Sequence, residues 1–251
     1  MKDIHNHILY GIDDGSISYL DSIRILKELE QEQIHDILLT PHYIIGSEYN
    51  ANNKKKQELL NTLKNKTSVN LYIGNEVYID NDIIDYIKQG MISTINNTRY
   101  LLIELPLNEK LEIMYDIIFE LRSYGVIPIV AHPERYHYLK LEDLIKLIDQ
   151  GCLLQGNITS LNNKYGKDAK DNLILLLKKH MIHVLGTDTH RNGKINLKEA
   201  LDTLKKIVDV EIYKDLTYRN FDKIINDIDI NTYEIVNTSN IFKKEKLKWN
   251  K

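Results

Sequence analysis

The chain has 251 residues, 43% hydrophobic and 27% charged, with a formal net charge of −3. That composition excludes a disordered chain, no apolar run approaches the ~20 residues of a membrane span, and the charge provides no general basic field for nucleic acid. One cysteine, Cys152, excludes an internal disulfide and, with a first stretch that lacks a basic-then-apolar leader, points to a cytoplasmic protein without membrane insertion.

Taken in order, the chain opens on Asp3–Ile8, a short apolar run carrying His5 and His7. Residues i and i+2 of a strand share a face, so the two imidazoles aim into one space, as a metal ion requires. Beyond the loop Tyr10–Gly15, Tyr19, Ile23, Leu26 and Leu29 follow at helical spacing, with Ser16 or Ser18 as the cap. The second strand, Asp36–Thr40, ends in Pro41-His42. A lysine-rich helix around Lys54–Leu63 comes next, and its charge run reads as a solvated face. Leu71–Gly74 ends in Asn75-Glu76, and a short helix over Asp82–Lys88 leads to Gly90.

Tyr100–Ile103 ends in Glu104, and the helix through Leu111, Met114, Ile118 and Leu121 stops at Gly125. Val126–Ala131 ends in His132-Pro133, before a helix marked by Leu141, Leu144 and Ile148. Cys152–Gln155 runs into Gly156-Asn157. A helix through Leu173, Leu176 and Leu177 then leads to Ile182–Leu185, which ends Gly186-Thr187-Asp188-Thr189-His190. Helices near Leu197–Val208 and Phe221–Ile228 precede a basic end, KKEKLKWNK, read as frayed surface.

Strands alternating with helices predict an α/β fold with parallel pairing, and continuous apolar runs predict strands covered on both faces. No linker composition divides the chain, so residues 1–251 read as one domain. A doubly wound sheet gathers ligands at one switch point beside a Gly-rich first loop, which is missing here. Instead nearly every strand carries a ligand-type residue at its carboxyl end. That is the pattern of a TIM-like (β/α) barrel, here with seven strands.

The collected residues are His5, His7, Asp14, His42, Glu76, Glu104, His132, Asp188 and His190. The other histidines, His35, His137, His180 and His183, sit in or beside helices or inside strands and read as packing or surface residues. Mixed imidazole and carboxylate donors suit zinc, manganese or iron(II). Nine donors exceed the needs of one ion; two or three ions sharing carboxylates use them all, clamp phosphoryl oxygens and lower the pKa of a bound water toward ~7. Arg135, three residues after His132, and Arg191 with Lys194, just after His190, are candidate phosphate contacts, since the guanidinium fork matches phosphate oxygens. Cys152 reads as a buried strand residue, because a cysteine phosphatase places an arginine six residues on and position 158 is Ile158.

The stretches DIHNHI, GIDDG, TPHY, GNEVY, LLIEL, AHPERY and GTDTH, with weaker matches at Gln155, Asn157, Ser160 and Asn237–Asn240, resemble the polymerase-and-histidinol-phosphatase (PHP) superfamily. Within it the chain is similar to the bacterial protein-tyrosine phosphatases of capsular and exopolysaccharide operons. The resemblance implies a distorted seven-stranded (β/α)7 barrel of the PHP fold and a trinuclear site. Manganese is foremost, with iron, zinc, cobalt or magnesium as alternatives. By motif, His5, His7, Glu76 and Asp188 hold one ion; Glu76 bridges to a second, held also by Glu104 and His132; Asp14, His42 and His190 hold the third. Arg135 binds phosphate. The family's second phosphate-binding arginine falls a few residues beyond Arg191, where this chain has Ile195, so Arg191 or Lys194 substitutes or the contact is missing. The implied substrate is a phosphotyrosine protein, a bacterial tyrosine kinase tail. The rival readings are a small-molecule phosphatase, such as one acting on histidinol phosphate, and a non-catalytic PHP module whose signature, degenerate ligands, is not met here.

Overall fold

In the computed structural model, which describes residues 1–191 and 196–236, the apolar runs form parallel strands in chain order. The second and third are each broken once. β1 (Asp36–Leu39) gives way at Thr40-Pro41 and resumes as β2 (His42–Tyr43), since Pro41 has no N–H for the ladder. β3 (Asn70–Ile73) breaks at the same level and resumes as β4 (Glu76–Tyr78). β1 pairs with β3, while β2 begins the sheet β2–β4–β5–β6–β7–β8, with β5 (Tyr100–Glu104), β6 (Ile127–Ala131), β7 (Leu153–Asn157) and β8 (Val184–Gly186).

The first residues close this sheet into a barrel. On one side Asp3 exchanges hydrogen bonds with β1, from its N–H to Asp36 O (2.9 Å) and to its carbonyl from Leu38 N–H (2.8 Å). On the other, Asp188 N–H donates to His5 O (2.8 Å) and His7 N–H to Thr189 O (2.9 Å). With the broken strands counted once each, seven positions surround the barrel, as the sequence predicts. The expected regular strand over Asp3–Ile8 is corrected to two isolated bridges, Asp3 to Ile37 and Asn6 to Thr189. The segment passes from one neighbour to the other within four residues and so builds no continuous ladder with either.

Side chains alternate across each strand. Leu101, Ile103, Val130, Leu154 and Leu185 face the helices, while Leu38, Leu102, Ile129, Leu153 and Val184 fill the barrel. Around the outside run α1 (Tyr19–Gln31), α2 (Asn53–Lys64), α3 (Ile83–Lys88), α4 (Met114–Ser123), α5 (Leu141–Asp149), α6 (Gly166–Lys178) and α7 (Leu197–Leu204). Ser18 rather than Ser16 caps α1, accepting from Asp21 N–H. The last expected helix begins earlier than the periodicity suggests: α8 (Val210–Lys214) continues through a π-helical turn into α9 (Asn220–Ile225). Phe221, Ile224 and Ile225 of α9 plug the amino-terminal end of the barrel. The lysine-rich helix is not solvated throughout, because Lys56 is fully buried beside Leu59, Leu60 and Leu63. No helix among the described residues is long and apolar enough to cross a membrane.

Barrel closure leaves no room at Gly186. A Cβ there would lie 2.6 Å from His5 Cβ and 3.1 Å from His5 N. Gly186→Ala is expected to destabilise the fold by about 1–3 kcal/mol through overpacking. For a chain of this size that lowers Tm by roughly 2–4 °C per kcal/mol. Thermal denaturation checks this, and an unchanged Tm would show that the first segment yields freely.

Candidate metal centre

The inward face of each strand turns from apolar to polar toward the carboxyl end. Leu38 is followed by Thr40 and His42, Leu102 by Glu104, Leu153 by Gln155 and Asn157, and Val184 by Gly186 and Asp188, each two residues on. His132 breaks this parity, since Ile129 and Ala131 are the inward residues of β6. A left-handed backbone at His132 (φ +34°) re-aims its side chain into the mouth. Asp188 is left-handed too (φ +50°). Non-glycine residues in this region cost about 1–3 kcal/mol each and concentrate at functional sites.

All nine predicted ligands meet there. His5 Nε2 and His7 Nε2 lie 3.1 Å apart, at 3.1 and 3.2 Å from Glu76 Oε2, and each is 3.6 Å from Asp188 Oδ1. The other oxygen of Glu76, Oε1, lies 3.2 Å from His132 Nε2, which is 3.6 Å from Glu104 Oε1. Asp14 Oδ1 lies 3.3 Å from His190 Nε2 and 3.6 Å from His42 Nε2. His42 also reaches the middle of the cluster, with Nδ1 at 3.1 Å from Glu76 Oε2.

Mutual hydrogen bonds satisfy only part of this set, between His5 and His7 (3.1 Å) and between His132 and Glu76 Oε1 (3.2 Å). Glu76 Oε2 is buried among three imidazole nitrogens and hydrogen-bonds none of them. Two imidazole nitrogens face each other across 3.1 Å. Donors at right angles around one ion, each at about 2.1 Å from it, lie about 3 Å apart. Charge points the same way. Burial and the adjacent Glu76 carboxylate push Glu104 up to about 8. Burial opposes ionisation of Glu76 and Asp188 as well, yet the surrounding histidines hold both well below the usual carboxylate range. A divalent cation between such carboxylates removes the repulsion between them, so the donor set fits metal ions.

An outer layer orients the donors, and most of it escaped the sequence reading. Asp13 Oδ2 accepts from His7 Nδ1 (2.8 Å) and from His42 N–H (3.1 Å), and Gln155 Oε1 lies 2.8 Å from His5 Nδ1. Burial opposes a charge on His7, but Asp13 and Glu76 raise its pKa well above the ordinary value. The Asp13-Asp14 pair was the available signal, and the sequence reading took Asp14 from it as a ligand and gave Asp13 no role. Gly15 completes this loop, since a Cβ there would meet His7 O at 2.1 Å. Asp13→Ala is expected to weaken divalent-ion affinity by about 10–100-fold while the chain stays folded. Calorimetric titration of the ion, with circular dichroism as control, measures it. An unchanged affinity would remove Asp13 from the site.

Asp188 Oδ2 collects three donors, Arg135 Nη1 (2.9 Å), Asn157 Nδ2 (2.8 Å) and Tyr165 Oη (2.8 Å), leaving Oδ1 toward the histidines. The Arg135 guanidinium stacks on Tyr165, 4.3 Å from the ring centre. Beside it opens a cavity of about 370 Å³ lined by Leu107, Asn108, Arg135, His137, Tyr165 and Lys167. Arg191 is not brought in as Arg135 is. It is exposed, and its carbonyl accepts from Arg24 (2.9 Å). Lys194, Asn237–Asn240 and the basic end lie outside the described residues. His183 serves packing as expected, with Nδ1 accepting from Leu154 N–H (3.0 Å).

The family described as capsular polysaccharide synthesis, CpsB/CapC, matches residues 1–226. CapC of Staphylococcus aureus is 38% identical over 214 residues, covering 82% of this chain and 84% of its own. The tyrosine-protein phosphatase YwqE of Bacillus subtilis is 29% identical over the same shares. A solved structure, from work describing YwqE of Bacillus subtilis and CpsB of Streptococcus pneumoniae as unique metal-dependent tyrosine phosphatases, overlays with a TM-score of 0.85. It is 27% identical and covers 94% of this chain and 100% of that one.

Proposed function

This chain belongs to the CpsB/CapC family of capsular polysaccharide synthesis and is a metal-dependent tyrosine phosphatase of that type, and from this premise we propose how its residues divide the work. One ion would be held by His5, His7, Glu76 and Asp188, a second by Glu76, Glu104 and His132, and a third by Asp14, His42 and His190. The observation that carries this reading is Glu76, whose two oxygens face different donor groups at 3.1–3.2 Å. The nitrogen and oxygen donors without thiolate suit zinc, manganese or iron alike; the PHP resemblance puts manganese foremost, with iron, zinc, cobalt and magnesium as alternatives.

When bound, divalent ions supply Lewis-acid activation of water and neutralise phosphoryl oxygens. The chain supplies the rest. Arg135, fixed by Asp188 on one nitrogen and by the Tyr165 ring below, turns its remaining N–H groups to the phosphate and holds it for in-line attack by water. The phosphotyrosine ring occupies the adjoining cavity. The leaving phenol has a pKa near ~10, so it departs with little help from a protein acid. Cys152 takes no part: it is buried at the opposite end of the barrel, where burial pushes its thiol up to about 12. Water attacks directly in this reading, with no cysteinyl-phosphate intermediate. The substrate is a phosphotyrosine protein, for which a bacterial tyrosine kinase tail is the candidate.

The test is phosphate release by the Mn²⁺-loaded chain from a phosphotyrosine peptide, a phosphoserine peptide and histidinol phosphate, with and without EDTA. A kcat/KM highest on the phosphotyrosine peptide and abolished by EDTA is expected. Preference for histidinol phosphate would retain the centre and overturn the substrate.

A further inference from the structure

Lys56 is the one residue of its lysine run that the structure buries completely, and burial lowers its amine to about 7. Its ammonium donates to Asn75 Oδ1 and to Ser93 Oγ (2.8 Å), both neutral oxygens. A buried cation with only neutral partners costs stability, so packing alone does not account for it. Its partner Asn75 does more than receive it. Asn75 Oδ1 also accepts from Ser93 N–H (2.9 Å), and Asn75 Nδ2 donates to Pro41 O (3.0 Å). The same Pro41 carbonyl accepts from Glu76 N–H (3.1 Å). The chain Lys56–Asn75–Pro41 therefore spans the level at which β1/β2 and β3/β4 both break. Beyond that level His42 and Glu76 pair with each other.

We propose that Lys56 is a positioning residue for the ion centre: through Asn75 it fixes the double strand break, and with it the places from which His42 and Glu76 project. Pro41 cannot donate to the ladder, and its carbonyl, which accepts from Glu76 N–H, takes the Asn75 amide as a second donor, so the side-chain clamp adds a bond across the break. This rests on His42 and Glu76 being ligands.

The test compares the parent chain with Lys56→Met, Asn75→Ala and the double variant. Mn²⁺ alone is the calorimetric probe; metal-free Tm and steady-state kinetics are recorded alongside. Lys56→Met keeps the length of the side chain and removes the buried charge, so metal-free Tm is expected to hold or rise. Mn²⁺ affinity is expected to fall about tenfold, as for other supports of metal ligands, and kcat to fall with it while KM stays within about twofold. A purely structural lysine would move Tm and leave affinity alone. Because Lys56 acts through Asn75, the double variant is expected to bind no more weakly than Asn75→Ala. Parental affinity in Lys56→Met, or losses that multiply in the double variant, overturns the inference. Should Lys56→Met not fold, Asn75→Ala carries the same expectation. Glu76→Gln in the same titration separates the premises. If it binds Mn²⁺ as the parent does, the ligand assignment fails. If it alone loses affinity, only the role of Lys56 fails.

Discussion

Glu76→Gln is expected to leave a folded protein whose kcat/KM on a phosphotyrosine peptide is lower by about 10⁴-fold, equivalent to about 5.5 kcal/mol of transition-state stabilisation. The substitution keeps the shape of the side chain, so packing survives. It replaces one ligand oxygen by an amide nitrogen that donates rather than accepts. Oε2 of Glu76 faces His5, His7 and His42, while Oε1 faces His132, so whichever oxygen is lost, one group of donors loses its shared anion. On the proposed assignment, removing the negative charge would weaken the hold on both ions that Glu76 serves. Metal stoichiometry by elemental analysis is expected to fall along with turnover. A variant that retained the parental ion content and activity within tenfold would remove Glu76 from the bridge.

The second large effect concerns Arg135. Arg135→Ala is expected to lower kcat/KM by about 10²–10³-fold, the usual cost of removing a donor aimed at developing charge. The ion content should change little, because the hydrogen bond from Arg135 goes to the outer oxygen of Asp188 and leaves Oδ1 toward the histidines. Arg135→Lys is expected to recover less than about tenfold. An ammonium is a point charge, whereas the guanidinium fork reaches Asp188 and a phosphoryl oxygen together and lies flat on Tyr165. Steady-state kinetics with elemental analysis distinguishes these roles. Full activity in the lysine variant would mean that charge alone is used, and the stack on Tyr165 would lose its purpose.

Much of this centre was legible because barrel strands alternate. Ligand-type residues stand at the carboxyl ends of apolar runs, which picks out His42, Glu76, Glu104, His132 and Asp188 from the sequence. Alternation explains why most of these ends face inward; His132, read from its place after Ala131, has the other parity and enters through a left-handed backbone. Asp14 was read as a ligand while its neighbour Asp13 received no role; the turn around Gly15 sets Asp13 on His7 and Asp14 on His190. Lys56 was hidden by its charged neighbours, although it stands three, four and seven residues before Leu59, Leu60 and Leu63, on the apolar stripe of α2. The first strand misled in the other direction. Its apolar run suggests a ladder, but its hydrogen bonds are divided between two neighbours far apart in the sequence.

That division has a consequence for how the protein is made. The segment bearing His5 and His7 is synthesised 183 residues before its second neighbour, since Asn6 bridges to Thr189. At about 5–20 residues per second, the opening histidines wait roughly ten to forty seconds for their last partner. During that interval the growing chain has five of the nine proposed donors before Glu104 is made, and Asp188 and His190 come last of the nine. On the proposed assignment the centre is completed in one late step, when that last pair joins the opening histidines.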